Sequence, residues 1–259
     1  MNILLTGDDG YNSIGTRLLI HFLKKDHTLT IAGTKTQQSA VGGRLSIKHG
    51  GTWFETIVDG VQAFCIDGSP ADALEFSHVK FPHKFDLILS GVNLGENVGV
   101  GIFSSGTVCA AWRGLGLEVA THSVALSWVT PPDFYFHAHD ANESITEFIE
   151  NPGKMVKETI DIMFKQQFWN SKFLNINFPS TYTESRVFTR LTPSIKECYP
   201  PLTINEQTNE FSYPFTEVQA ETTDSKYDIV NLHQGKISIT PMSADWTDDK
   251  LYTSLKQGK

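Results

Sequence analysis

Residues 3–15 read ILLTGDDGYNSIG, an apolar run that ends abruptly in two adjacent aspartates and a glycine. Ile3–Thr6 has the character of a strand buried on both faces. Downstream, Ile14, Leu18, Leu19, Phe22 and Leu23 recur at helical spacing, and Lys24 and Lys25 close that helix favourably for its dipole. A buried strand followed by an amphipathic helix is the opening unit of a parallel sheet covered by helices. Asp-Gly is also a common turn dipeptide, so the pair reads either as a solvated turn or as a cation site at a strand end.

The alternation continues outward. Leu29–Ala32 reads as a second strand, with a polar, glycine-bearing loop (TKTQQSAVGG) after it. Trp53–Val58 and Val61–Ile66 read as two strands joined by a tight Asp59-Gly60 hairpin. In GSPADALEF, Ser69 suits a helix N-cap, Pro70 its first position and Asp72 its positive end. FDLILSG is a buried strand, SSGTVCAAWRGLG opens another helix, and EVATHSVALS returns as a strand. The expected architecture is therefore a doubly wound α/β fold on a mainly parallel sheet, with residues 1–130 forming the core that carries the site.

Residues 131–259 complete the fold with a different character. Residues 143–168 are helical in pattern, with an interruption expected at Asn151-Pro152-Gly153, and KFLNINFP is a strand. Strand-like pieces over about 186–222 include a hairpin around Asn205–Asn209, and KISITPM is a last alternating strand. This half reads as an antiparallel extension available for oligomer contacts.

The chain has 259 residues, 40% hydrophobic and 19% charged, which suits a globular protein that needs no disulfide staples. Its net charge of −8, without Lys/Arg clustering, argues against a nucleic-acid polymer as partner. Cys65, Cys109 and Cys198 show no CxxC spacing; Cys65 and Cys109 lie in apolar runs and read as buried side chains. Met1 leads directly into a strand, and no run of 18 apolar residues occurs, so a soluble, cytoplasmic protein without a membrane partner is expected. His21, His27 and His137 read as surface residues, Arg44 and Lys48 as solvated, Trp112 and Trp128 as core. His233 precedes the last strand.

In an open parallel sheet, ligands bind beyond the carboxyl ends of the strands. The first strand delivers Asp8, Asp9 and Gly10 there; the loop after the second carries Gln37, Gln38, Ser39, Gly42 and Gly43; FDLILSG delivers Asn93, Gly95 and Asn97. Ser104, Ser105, Gly106 and Thr107 follow, just before a helix. These are hard oxygen donors and glycine turns without histidine or cysteine, a set suited to magnesium or manganese rather than zinc. A divalent ion would relieve the repulsion of the paired carboxylates. Hydroxyls, glycine-freed amides and a helix N-terminus at SSGTV form an anion cradle, and phosphate binding follows from the two together.

DDGY, QQSAVGGRLSI, DGSPADAL, SGVNLGEN, SSGTVCAAWRGL, LNINFP and GKISITPMSADWTD closely resemble, in order and approximate spacing, the survival protein E (SurE) family of metal-dependent nucleotide phosphatases. The resemblance implies one divalent ion per subunit held by Asp8, Asp9, Ser39 and Asn93, with Asn93, Ser105, Gly106 and Thr107 at the phosphate. It further implies hydrolysis of nucleoside 5′-monophosphates, with 3′-nucleotides and short polyphosphate also accepted, and assembly as a homodimer or homotetramer. Asp8 and Asp9 would be the catalytic pair, Asp8 orienting or deprotonating the attacking water. The chain departs from the family's usual pattern at Gly7, where Asn is usual, and in GSPAD; residues 128–170 match weakly. Two alternatives remain open at the level of sequence. One is a receiver-like signalling module with Asp59 as phosphoryl acceptor; the other is a non-catalytic nucleotide-binding scaffold.

Overall fold

The computed structural model describes residues 1–131, 134, 137, 139–140, 142–214, 222–243, 245 and 249–256. The chain builds β1 (Asn2–Thr6), α1 (Ile14–Leu23), β2 (Thr28–Thr34), β3 (Thr52–Val58), β4 (Val61–Asp67), α2 (Pro70–Lys80) and β5 (Phe85–Leu94). A 3-10 segment (Gly99–Ser104) leads into α3 (Gly106–Gly116) and β6 (Ala120–Trp128). After the single turn α4 (Thr146–Phe148) come α5 (Lys154–Lys165), β7 (Phe173–Phe178), β8 (Arg186–Phe188), β9 (Thr203–Asn205) and β10 (Glu210–Ser212). The described elements end with α6 (Asp228–His233), β11 (Ile237–Met242) and α7 (Asp249–Lys256).

Nine strands form one sheet in the order β3-β4-β2-β1-β5-β6-β7-β11-β8. The run from β4 to β7 is parallel throughout. β3 closes one edge antiparallel to β4; β11 lies antiparallel on β7, and β8 parallel to β11. The chain therefore winds from β1 to β2 in one direction and returns to β5 on the other side. That reversal makes the β1/β5 junction the topological switch point, where doubly wound sheets bind ligands.

The central strands β1, β2, β4 and β5 are largely apolar because both faces of the sheet are covered there. On one face, Ile3, Leu5, Ile31, Leu87 and Leu89 pack against Leu18 and Leu19 of α1 and Ile160 and Met163 of α5. On the other, Leu4, Phe64 and Ile88 meet Leu74 of α2 and Ala110 of α3. Each such side chain, removed completely from water, contributes on the order of 1.5–3 kcal/mol.

Local signals act as their chemistry dictates. Ser69 N-caps α2 in a capping box with Asp72, and Pro70 opens the helix. The helical pattern over 143–168 breaks where expected, with Asn151 non-helical at φ −142° and α5 starting at Lys154. β9 and β10 form the hairpin around Asn205–Asn209. Two expectations need correction. Trp112 is exposed, because α3 buries Val108, Ala110, Ala111 and Gly114 and turns Trp112 outward. Cys109 is half-buried, whereas Cys65 and Cys198 are buried. Among the described residues, no helix is long and apolar enough to cross a membrane.

Candidate active site

The acidic pair sits at the switch point. Asp8 and Asp9 leave β1 at its carboxyl end and are 6% and 7% exposed, so the strand-end pair is buried. Asp9 Oδ2 accepts the Leu94 N–H at 2.9 Å, and Asp9 Oδ1 accepts from Gln37 Nε2 at 3.2 Å. Asp8 accepts from the Thr107 hydroxyl and from the Gly106 N–H at the start of α3. Among the described residues, the hydrogen-bond donors to these two carboxylates are neutral. Among the described residues, neither forms a salt bridge with a Lys, Arg or His.

Electrostatics follow from that enclosure. Burial pushes both carboxyls above the ordinary aspartate range, and the neighbouring Asp8 charge raises Asp9 further. The Thr107 hydroxyl faces two acceptors, Asp8 Oδ1 and, at 3.0 Å, Asn93 Oδ1. One hydroxyl has one proton to give. A proton on Asp8 resolves this, since Asp8 then donates to Thr107 and Thr107 to Asn93. A divalent cation resolves it equally, by taking the carboxylate and amide oxygens as ligands.

β5 reaches further than its apolar run suggests. It pairs with β6 at Ser90↔Ala125 and again at Asn93↔Ser127, with two residues of β5 opposite one of β6 between them. Such a bulge re-aims the residues beyond it, and here it brings Asn93 to Thr107. Asn93 Nδ2 donates to Gly95 O at 2.8 Å, which fixes the amide and leaves Oδ1 turned toward Thr107.

α3 supplies the cradle. Ser105 N-caps it by accepting the Val108 N–H at 3.0 Å, while its own hydroxyl proton stays available to an anion. Gly106 is required by close approach: a Cβ there would lie 2.7 Å from Asp8 Oδ2. Gly7 lies at φ 155°, a conformation that side chains rarely adopt, and its Cβ position is 3.3 Å from Gly91 N, so a side chain at 7 would be strained and would press on the β5 backbone.

Ser39 differs from the other site residues anticipated from the sequence. It is exposed on the loop after β2, and no described hydrogen bond joins it to the Asp8, Asn93 and Thr107 group. Its loop is nevertheless stitched to the rim. Gln38 N–H donates to Asp8 O at 2.7 Å, Gly42 N–H to Ser104 O at 2.9 Å, and Ser46 N–H to Asp72 Oδ1 at 3.0 Å. Arg44 and Lys48 are exposed on the same loop, and His233 is exposed at the end of α6. Asp59 lies in the β3–β4 turn, just before parallel β4 begins, and so at the opposite edge of the sheet from Asp8. That removes it as an acceptor in a receiver-like site.

Sequence reasoning missed the supports behind the rim. Asn97 N–H donates to Asn177 Oδ1 at 2.8 Å, and Asn97 O accepts from both Asn175 (2.8 Å) and Asn177 (2.9 Å). Asn97 Nδ2 also donates to Ser127 Oγ at 2.8 Å. Asp228, fully buried, accepts from Gly99 N–H (2.7 Å), Thr192 N–H (3.0 Å), Thr192 Oγ1 (2.6 Å) and Ile229 N–H (2.9 Å). The signal for the asparagines was present, since LNINFP places amides at alternate positions of an otherwise apolar strand. Asp228 gave no such cue.

Comparisons with known proteins place the chain in a family. The sequence profile of the family described as Survival protein SurE matches residues 3–199. A protein named 5′-nucleotidase SurE from Clostridium botulinum (strain Alaska E43 / Type E3) is 28% identical over 260 residues, covering 99% of each chain. Another of that name, from Methanocorpusculum labreanum, is 30% identical over 256 residues, covering 98% of this chain and 96% of its own. The crystal structure of the SurE protein from Aquifex aeolicus superposes with a TM-score of 0.75 at 24% identity, over 99% of each chain, a likeness of fold. Taken with the switch-point aspartates and the cradle at α3, the match over most of the chain establishes that it belongs to the survival protein SurE family.

Proposed function

We propose that the chain is a metal-dependent phosphomonoesterase that hydrolyses nucleoside 5′-monophosphates to nucleoside and phosphate. The observation that carries this reading is the burial of Asp8 and Asp9 side by side at the switch point, where the donors to them among the described residues are neutral. Two adjacent carboxylates in that setting repel unless protonated or joined by a cation. The donor set fits a hard divalent ion such as magnesium or manganese, one per subunit, with Asp8, Asp9 and Asn93 as ligands and Ser39 reaching in from its loop. Such an ion would supply Lewis acidity toward the phosphate and toward water.

The remaining steps fall to the chain's own residues. Ser105 donates its free hydroxyl proton to a phosphoryl oxygen, and the N-terminus of α3 favours the dianion. Thr107 holds Asp8 and Asn93 in fixed orientation, so the site needs little rearrangement as charge develops. Asp8 orients the attacking water and accepts its proton. Acceptance of 3′-nucleotides and short polyphosphate belongs to the same reading, because the cradle grips a phosphoryl group and not its position on the sugar. So does a cytoplasmic location.

Homo-oligomerisation is part of the proposal. The β9–β10 hairpin exposes Ile204, Phe211 and Tyr213, and a two-stranded ribbon with an apolar face is marginal alone in water. A dimer or tetramer formed through it would cover these side chains.

Phosphate release from AMP, CMP and a 3′-nucleotide, with manganese, magnesium or EDTA, tests the central claim. The expected result is turnover that EDTA abolishes and manganese or magnesium restores. Nucleotide binding without phosphate release in any metal would instead favour the scaffold reading.

A further inference from the structure

Beside the acidic pair lies an aromatic feature that the phosphate chemistry does not use. Tyr11 stands two residues beyond Asp9, and its N–H donates to Thr34 O at 2.9 Å, at the end of β2. Its backbone lies directly over Gly33, where a Cβ would meet Tyr11 Cα at 2.7 Å. Gly33, Cys65 and Phe54 are register partners across β2, β4 and β3, and so share one face of the sheet. Tyr11 heads this row, and its ring meets the Phe54 ring edge-on at 6.0 Å between centroids and 81° between planes.

These rings are not finished as core. Tyr11 is half-buried and Phe54 is 45% exposed on an edge strand. With strands spaced about 4.8 Å apart, Tyr11 starts roughly 5 Å to the side of the strand that delivers Asp9, and Phe54 roughly 14 Å. A nucleotide held by its phosphate at the switch point, with its sugar directed along the rim toward β3, carries its base over this row. Phe54 leaves nearly half of its surface open there, and Tyr11, packed on one side against the core, keeps part of its surface open beside it. Every nucleobase has a π-face, so stacking on such a surface tolerates all bases.

We propose that Tyr11 and Phe54 form an aromatic shelf that stacks the nucleobase of the substrate, Tyr11 beneath the base and Phe54 at its outer edge; this rests on the nucleotidase reading above. Recognition by stacking favours nucleotides over phosphomonoesters that lack a base. It discriminates weakly between purines and pyrimidines, because neither ring brings a donor and acceptor pattern to read.

The test compares kcat/KM for AMP, CMP and ribose 5-phosphate in the full chain and in Tyr11→Ala, Tyr11→Phe and Phe54→Ala. The AMP to ribose 5-phosphate ratio is expected to fall roughly tenfold in Tyr11→Ala, less in Phe54→Ala, and to be restored by Tyr11→Phe. Equal losses on AMP and ribose 5-phosphate, or a ratio unchanged in both alanine variants, would overturn the shelf while leaving the nucleotidase reading intact. Should no nucleotide be turned over, calorimetric binding of AMP against ribose 5-phosphate takes the place of the kinetic ratio. A preference for AMP that vanishes in Tyr11→Ala would then support the shelf and sink the nucleotidase reading. No preference would overturn the shelf.

Discussion

Two Asp-Gly turns stand at opposite edges of the same sheet. Asp59-Gly60 joins β3 to β4 with both residues at positive φ (46° and 86°), and Asp59 pairs with Arg17 at 2.9 Å while its carbonyl accepts from Lys24. Asp9-Gly10 follows β1 at the edge where the winding reverses, buried and, among the described residues, without a cationic partner. The dipeptide is the same, and what differs is the surroundings. At one edge, solvent and a guanidinium satisfy the carboxylate, and the turn is only a turn. At the other, a second aspartate, the Leu94 N–H and Gln37 surround it, and a proton or a cation must answer its charge.

That contrast is most directly broken at the acids themselves. Asp9→Asn is expected to lower phosphate release by at least about 100-fold, the scale of removing one group that stabilises transition-state charge. Asp59→Asn should change the same assay less than about twofold and stability by under about 1 kcal/mol, the range of a partly exposed ion pair. Comparable losses in both variants would erase the distinction between the two edges.

The next largest effect falls on the support of the rim. Asp228→Ala strips four hydrogen bonds from a buried carboxylate and frees Gly99, where the segment leading to Ser105 begins. The variant should lower Tm by roughly 5–10 °C, as expected for about 2–3 kcal/mol in a chain of this size. Thermal denaturation followed by circular dichroism checks it, and an unchanged Tm would mean that the 3-10 segment is held by other contacts.

The smallest effect is a pH dependence. Burial raises Asp8 and Asp9 above their ordinary value, so the metal-free native state keeps protons that the unfolded chain releases near pH 4. The contribution to stability is complete below that pH and is lost as the pH rises through the raised values. In EDTA, Tm should therefore decline from pH 5 to pH 8 by a few degrees, and added manganese should raise Tm more at pH 8 than at pH 5. A manganese effect independent of pH would place the bound ion away from the pair.

Much of this was legible from the residues. Continuous apolar runs alternating with helical periodicity reported a two-sided parallel sheet, because covered strands have no polar face to display. Ser69, Pro70 and Ser105 marked helix starts because capping is a local transaction between neighbours in sequence. What stayed hidden was long-range. The bulge in β5 depends on how Leu126 lies across from Gly91 and Val92, and the burial of Asp8 depends on α3, some hundred positions away. Asp228 and Asn177 look ordinary in sequence because their partners are elsewhere in the chain. Trp112 misled for the same reason, since its helix chose small residues for the packed face.

The asparagine and aspartate supports carry a consequence for how the molecule comes into being. Asn97 is clasped by residues 80 positions downstream, and Gly99 by a carboxylate 129 positions downstream. Asp8 and Asp9 lie far ahead of these partners in sequence, and the wall opposite them is fastened only when β7 and α6 are in place. Closing loops of that length is slow relative to local folding. The rim beside the aspartates is thus completed by long-range contacts, and a fragment that lacks residue 228 lacks the carboxylate that holds Gly99.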